Sequence, residues 1–458
     1  MRKRSSSPTY ERWKAQVPIL YERFDEHRHD RPSPCCQWGI QLKETKDEKH
    51  QRLYFSEQTD GKVPNTLVVA NVEVFKSRVA AADHLSQFNE ACSPFLKKEK
   101  AIAHPGKVCR IRELPKKSNI VATHTHSPKV LIWDIDAQPN HHAVHDAAGS
   151  KPTLILEGHT QNAEYALSMC HTDSLVLSGG QDTMVLLWSI QDYMSTLGGT
   201  ASAKSPAALS ENSSGQQAVE ARNDKGMEAP MVAPRGCFRG HNGAVEDVQF
   251  CPFSEQEFCS VGDDSCLKFW DARTGDRPTT SVEKACHGHM YCVDWNPHDV
   301  NLIVTGSADS FVRMFDYRKI DGGSCITALH RLKGHKDSVL RVQWSPNKAS
   351  VFGSAAKDGF LNVWDHEKVG KKVSTGGLRM VQTPAGLIFQ HAGHRGGKVT
   401  DFNWSISDPW TIASVSTDSG SNPGGSLQIW CMSDLIHRPT EEVLEELNRF
   451  KDHISSCG

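Results

Sequence analysis

Six histidines, His104, His159, His241, His287, His335 and His394, each precede a serine or threonine and then a turn residue, the residue types of a hydrolytic triad. His159, Ser178 and Asp182 would be such a set, with serine as nucleophile, histidine as base and aspartate as its orienter. The same trio returns along the chain, however, whereas an active site is normally single. The sets are Thr123, Ser127, Trp133; Ser178, Asp182, Trp188; Ser260, Asp264, Trp270; Thr305, Asp309, Phe315; Ser354, Asp358, Trp364; and Ser414, Asp418, Trp430. From histidine to turn residue the gaps are 23, 23, 23, 22, 23 and 24. Nothing around these serines resembles a nucleophile elbow. The pattern therefore predicts no catalysis but a buried hydrogen-bonded relay, in which His159, Ser178, Asp182 and Trp188, or His241, Ser260, Asp264 and Trp270, tie the strands of one unit together. Each bond adds about 1 kcal/mol net, and an unpaired buried partner costs about 1–3 kcal/mol.

The elements that must hold these residues are short strands. Val245, Val248 and Phe250, Val293 and Trp295, and Val339, Val342 and Trp344 fall in short strand-like apolar runs, followed by Pro252, Pro297 and Pro346. A unit of this length cannot bury both faces of its sheet alone, so units stack around a ring. Strand-like segments at Cys36–Ile40, Leu53–Ser56 and Thr66–Asn71 add an incomplete seventh unit, and a seven-bladed all-β propeller closed by the two chain ends is expected over 34–432. Before it, residues 1–33 are read as a tail and a helix over 10–29, because Tyr10, Trp13, Val17, Leu20, Tyr21 and Phe24 share one stripe, interrupted by Pro18. After it, residues 433–458 are read as a helix capped by Thr440, with Glu441, Glu442, Glu445 and Glu446 in its first turns. Residues of about 191–236, rich in Ser, Ala, Gly and Gln, are expected to be a disordered insertion.

Bulk properties narrow the function classes. A net charge of −2 over 458 residues argues against direct, nonspecific nucleic-acid binding, and no sequence-specific binding is expected. The 14 cysteines show no zinc spacing, so free thiols in a reducing compartment are expected. No apolar run is long enough to span a bilayer. His141, His142, His145 and Asp146 cluster in a loop without a scaffold to fix metal geometry, so no metal and no cofactor are expected.

Particular strings go beyond the ruler: Tyr10-x-x-Trp13-Lys14, Pro18-Ile19-Leu20-Tyr21, Leu53-Tyr54-Phe55-Ser56-Glu57-Gln58-Thr59-Asp60-Gly61, Glu257-Phe258-Cys259-Ser260-Val261-Gly262-Asp263-Asp264, and Phe389-Gln390-His391-Ala392-Gly393-His394. With these the chain resembles the WD-repeat proteins, and more narrowly the histone-binding retinoblastoma-associated class in its plant FVE-type branch. The resemblance implies a nuclear, non-enzymatic scaffold in histone deacetylase, Polycomb-type or chromatin-assembly complexes, acting in transcriptional repression and flowering-time control. It implies a rim groove for the first helix of histone H4, with Leu20, Tyr21, Phe24, Leu387, Leu435 and Ile436 as wall and Asp434 as acid. Arg31-Pro32-Ser33-Pro34 replaces the family's Trp-Pro-Ser-Leu, and the loop at 368–386 carries Lys371, Lys372 and Arg379. It also implies a mouth for the histone H3 tail, where Glu246 keeps the negative charge with Glu164 nearby and Tyr165 and Tyr291 face the opening. That depletion of acids predicts a weak grip on a basic tail. Finally, Asp271 and Arg273, echoed by Asp316 and Arg318, resemble the motif by which some WD-repeat proteins dock on a cullin-ligase adaptor, which makes a ligase substrate receptor the alternative.

Overall fold

The computed structural model describes residues 8–45, 48–59, 61, 63–75, 96–139, 150–194, 229–320, 328–369, 384–395, 397–417, 424–433 and 444–445. Seven antiparallel sheets follow one another as blades of a propeller: blade 1 (36–104), blade 2 (110–156), blade 3 (167–239), blade 4 (245–282), blade 5 (290–333), blade 6 (339–391) and blade 7 (398–432). The innermost strand of each blade packs on that of the next, and Lys398–Trp404 of blade 7 returns to Cys36–Glu44 of blade 1.

Burial explains the ring. Each of seven apolar clusters among the described residues sits between two neighbouring blades. The seam between blade 7 and blade 1, for instance, joins Ala413, Val415, Leu427 and Ile429 to Trp38, Leu53, Phe55 and Val68. A blade taken out of the ring would expose both faces, at about 1.5–3 kcal/mol for each large side chain returned to water.

Closure differs from the sequence expectation. The N-terminal helix runs from Pro8 to Leu20 and stops there; Tyr21–His29, read as its continuation, is a strand. That strand pairs antiparallel with Gly425–Met432, from Tyr21 opposite Met432 to His29 opposite Gly425, and so supplies the fourth strand of blade 7. The stripe formed by Tyr10, Trp13 and Val17 is helical, whereas Tyr21 and Phe24 only coincide with its spacing. A partner strand some 400 residues away satisfies the backbone and overrides the local pattern. The segments expected to be an incomplete unit gain Leu96–His104 and make a complete four-stranded blade 1.

The insertion also departs from expectation at its far end. Met231–Val232 lies parallel to Leu154–Leu156 as a fifth strand on blade 2, and Gly236–Arg239 then completes blade 3. Val232 is buried with Leu154 and Leu156, so the returning chain straps two blades together. Residues 195–228, the loop at 370–383, the His141 cluster and most of the expected C-terminal helix lie outside the described residues; Leu444 and Glu445 are helical.

Candidate functional site

The rim helix is fixed by a directional chain of buried hydrogen bonds. The Trp13 indole Nε1–H donates to the Tyr21 hydroxyl at 2.8 Å, and that hydroxyl lies 2.7 Å from His391 Nδ1. His391 Nε2 sits 2.8 Å from Gln428 Oε1, and Gln428 Nε2–H donates to Gly393 O at 3.0 Å and Glu26 Oε1 at 3.2 Å. Only a neutral imidazole protonated at Nε2 satisfies every atom. Burial enforces this by pulling the His391 pKa down to about 3, against the opposing hydrogen bond to Gln428. Four elements meet in this chain: the helix, the closing strand, the outer strand of blade 6 and the third strand of blade 7.

This geometry redistributes the expected groove wall. Tyr21 and Phe24 are buried in the core with Trp13, Phe389 and Trp430, so neither lines a surface. Leu387 packs with Val369 and Trp364 in the seam between blades 5 and 6, while its neighbour Ile388, on the opposite face of the strand, packs against the helix cluster. Leu20 is half-buried beside that cluster, and Asp434, Leu435 and Ile436 lie outside the described residues. The residue missed is Ile19, which is 65% exposed on the side of the helix facing away from the ring. The signal lay in the helical wheel: Ile19 falls off the stripe of Tyr10, Trp13 and Val17 and has no core to enter.

At the opposite extreme of the blades, the inner strands share a β-bulge. Register slips between Val245 and Asp247, Met290 and Cys292, Val339 and Arg341, and Val399 and Asp401. The extra residue in each, Glu246, Tyr291, Leu340 or Thr400, is thereby re-aimed out of the ladder. Glu164, Tyr165, Glu246, Asp263 and Tyr291 share one electrostatic neighbourhood at this mouth. Burial, with Asp263, Glu164 and Asp247 adding repulsion, pushes the Glu246 carboxyl up to about 7. Asp263 is not among the acids expected from sequence because it sits in the turn after the second strand of blade 4, beyond the two mouth positions read per blade.

Residues 8–76, which hold the rim helix, the closing strand and most of blade 1, match the family model of the histone-binding protein RBBP4 and its counterpart in the CAF1 complex. Residues 150–189, 233–271, 280–316 and 326–365 match the WD domain, G-beta repeat. The chain is 57% identical over 451 residues to the WD-40 repeat-containing protein MSI4 of Arabidopsis thaliana, covering 98% of this chain and 86% of that protein. The chain belongs to the RBBP4-like WD-repeat family.

Within this family member the repeated trios are internal braces. His241 Nδ1 lies 2.9 Å from Asp264 Oδ2 and its Nε2 2.7 Å from Ser260 Oγ, to which Trp270 Nε1–H donates at 2.8 Å. His335, Asp358, Ser354 and Trp364 repeat this arrangement. His159 reaches Asp182 at 3.0 Å and Ser178 at 2.8 Å, but Trp188 donates to the Glu157 carbonyl instead of the serine. Gly180 makes room there: a Cβ would lie 2.7 Å from His159 Nδ1. Burial disfavours the charges of Asp182, Asp264 and Asp358, yet hydrogen bonds from the histidines and from backbone N–H groups hold all three below the usual carboxylate range. The serines are wholly buried, so no substrate atom reaches them.

Blade 5 has exchanged its brace. His287 is exposed and contributes only its backbone N–H to Asp309, at 3.1 Å. Arg313 takes over, donating to Ser307 at 2.7 Å and to Asp309 at 2.9 Å, which leaves Thr305 Oγ1 without a partner. Among the described residues no cluster of three or more His, Cys, Asp or Glu could hold a metal, and no helix is long and apolar enough to cross a membrane. Arg273 and Arg318, 64% and 67% exposed, each fold back on the aspartate two residues earlier: Arg273 Nη2 reaches Asp271 at 2.7 Å and Arg318 Nη2 reaches Asp316 at 2.9 Å.

Proposed function

We propose that this chain is a non-enzymatic histone-binding scaffold that brings histone deacetylase, Polycomb-type or chromatin-assembly subunits to nucleosomes in the nucleus. It would act in transcriptional repression and, in keeping with its resemblance to the plant FVE-type branch, in flowering-time control. The observation that carries this reading is the rim helix, clamped through Trp13, Tyr21 and His391 while Ile19 stays 65% exposed on its outer side. The segment matching the histone-binding family model contains this helix. A rigid helix with one apolar anchor facing outward suits docking of a second amphipathic helix, here the first helix of histone H4. Calorimetric titration with that H4 peptide tests it. Ile19→Asp, a change at an exposed position, is expected to weaken binding at least about tenfold. Wild-type protein that shows no binding at about 100 μM peptide, or a variant that binds as wild type, overturns the assignment.

A second reading, a substrate receptor of a cullin-type ligase, is favoured by the two exposed guanidiniums on adjacent blades, each pre-oriented by its own aspartate. Adaptor pull-down that is unchanged by Arg273→Ala together with Arg318→Ala removes it.

A further inference from the structure

Two acids of the mouth carry a histidine cap supplied by a neighbouring blade. His126, in the turn after the second strand of blade 2, places Nδ1 2.8 Å from Glu164 Oε1 on the approach to blade 3. His289, just ahead of the inner strand of blade 5, places Nδ1 2.7 Å from Asp263 Oδ1 on blade 4. Both imidazoles are well exposed, unlike the buried brace histidines. Between the two pairs lies Glu246, the bulge residue of blade 4. We propose that the mouth over blades 2 to 5 is a pH-gated site for a cationic peptide side chain, in which His126 and His289 are internal cations competing for Glu164 and Asp263.

The surrounding groups fit such a side chain. Tyr165 is exposed, and Tyr291 stacks with His289 at 6.1 Å between ring centroids, so aromatic faces stand beside the acids. Lys357 from blade 6 already lies 5.3 Å from the Tyr291 ring centroid, and Asp337 acts on the same tyrosine. From below, Arg110 and Asp247 face Glu246, and Lys107 acts on Cys109 beside Glu164. Histidine is the side chain whose charge changes between about pH 5 and 8. On the acid side, protonated His126 and His289 neutralise their partners, and Glu246 holds its proton. On the basic side all three changes make the mouth more negative, so affinity for a cation rises with pH.

This inference rests on the mouth being a surface for a basic tail, and the test separates the two. A histone H3 N-terminal peptide is titrated calorimetrically at low salt into the full chain at about pH 6 and about pH 8, with an expected gain of about three- to tenfold at the higher pH. The double variant His126→Asn, His289→Asn should bind more tightly than wild type at the lower pH and lose most of that slope. Equal wild-type affinity at both pH values, or an undiminished slope in the variant, overturns the gate while the tail surface stands. Absence of binding at both removes the tail surface. In that event the caps are judged by long-range proton–nitrogen NMR: the Nδ1 resonances of His126 and His289 should move in Glu164→Gln and Asp263→Asn respectively, and resonances that stay put overturn the gate as well.

Discussion

At the residue scale the braces offer a matched pair of substitutions that differ only in what they orphan. Ser260 Oγ serves His241 and Trp270 together, both buried. Ser260→Ala leaves an imidazole and an indole without their partner, and a buried unsatisfied group costs about 1–3 kcal/mol, so a loss of roughly 2–4 kcal/mol is expected in urea unfolding. Thr305 occupies the equivalent place in blade 5, but its hydroxyl has no partner. Thr305→Val keeps the shape and removes a polar atom that contributes nothing, so its midpoint should match or exceed that of wild type. Equal destabilisation by both variants would mean that the hydroxyls act through packing rather than through hydrogen bonds. The ruler in the sequence locates both residues, yet it cannot reveal that blade 5 runs on Arg313. That substitution involves a side chain arriving from a neighbouring strand, whose register becomes known only with the fold.

At the element scale the decisive segment is Tyr21–His29. Its apolar residues obey helical spacing as well as they obey a strand with one face buried, so local pattern alone cannot choose. Pairing with Gly425–Met432 chooses. The same ambiguity explains why sequence places Tyr21 and Phe24 in a surface wall: a stripe shows which side of an element is apolar, not whether that side meets the ring or a partner. Blade order, strand periodicity and the brace residues are legible because each is repeated; Ile19, Asp263 and the fifth strand of blade 2 are not, because each occurs once. Tyr21→Phe tests the helix clamp. It removes the acceptor of Trp13 and the donor to His391 without changing volume. Hydrogen exchange should accelerate across Pro8–Leu20 while the strand Tyr21–His29 stays protected. Loss of protection in both would show that the hydroxyl holds the closing strand rather than the helix.

At the scale of the whole molecule, ring integrity depends on polar groups buried near the axis and along the seams. Asp401 of blade 7 accepts the N–H of Cys36 in blade 1 at 3.2 Å, Asp247 that of Val293 at 3.2 Å, and Asp294 that of Trp344 at 2.6 Å, so each carboxyl staples its blade to a neighbour. Arg341 spans Asp247 at 3.1 Å and Asp401 at 3.4 Å across the centre. Acid should undo this ring, and the sign follows from which groups the fold holds neutral. Burial lowers His104 to about 4 and His29 and His391 to about 3, and pulls His124 and His394 well down. An unfolded chain takes up protons on these five near pH 6.5, the ordinary histidine value, while the native state does not, so stability falls as pH drops below that point. Burial raises Glu113, Glu246 and Asp294 to about 7, which works the other way, since the native state then binds protons that the unfolded chain does not. Five groups against three leave a net uptake of about two protons on unfolding, or roughly 3 kcal/mol lost per pH unit between about pH 6 and 5. Urea midpoints should therefore drop steeply across that interval, and midpoints that hold level would mean that these histidines are protonated inside the folded ring.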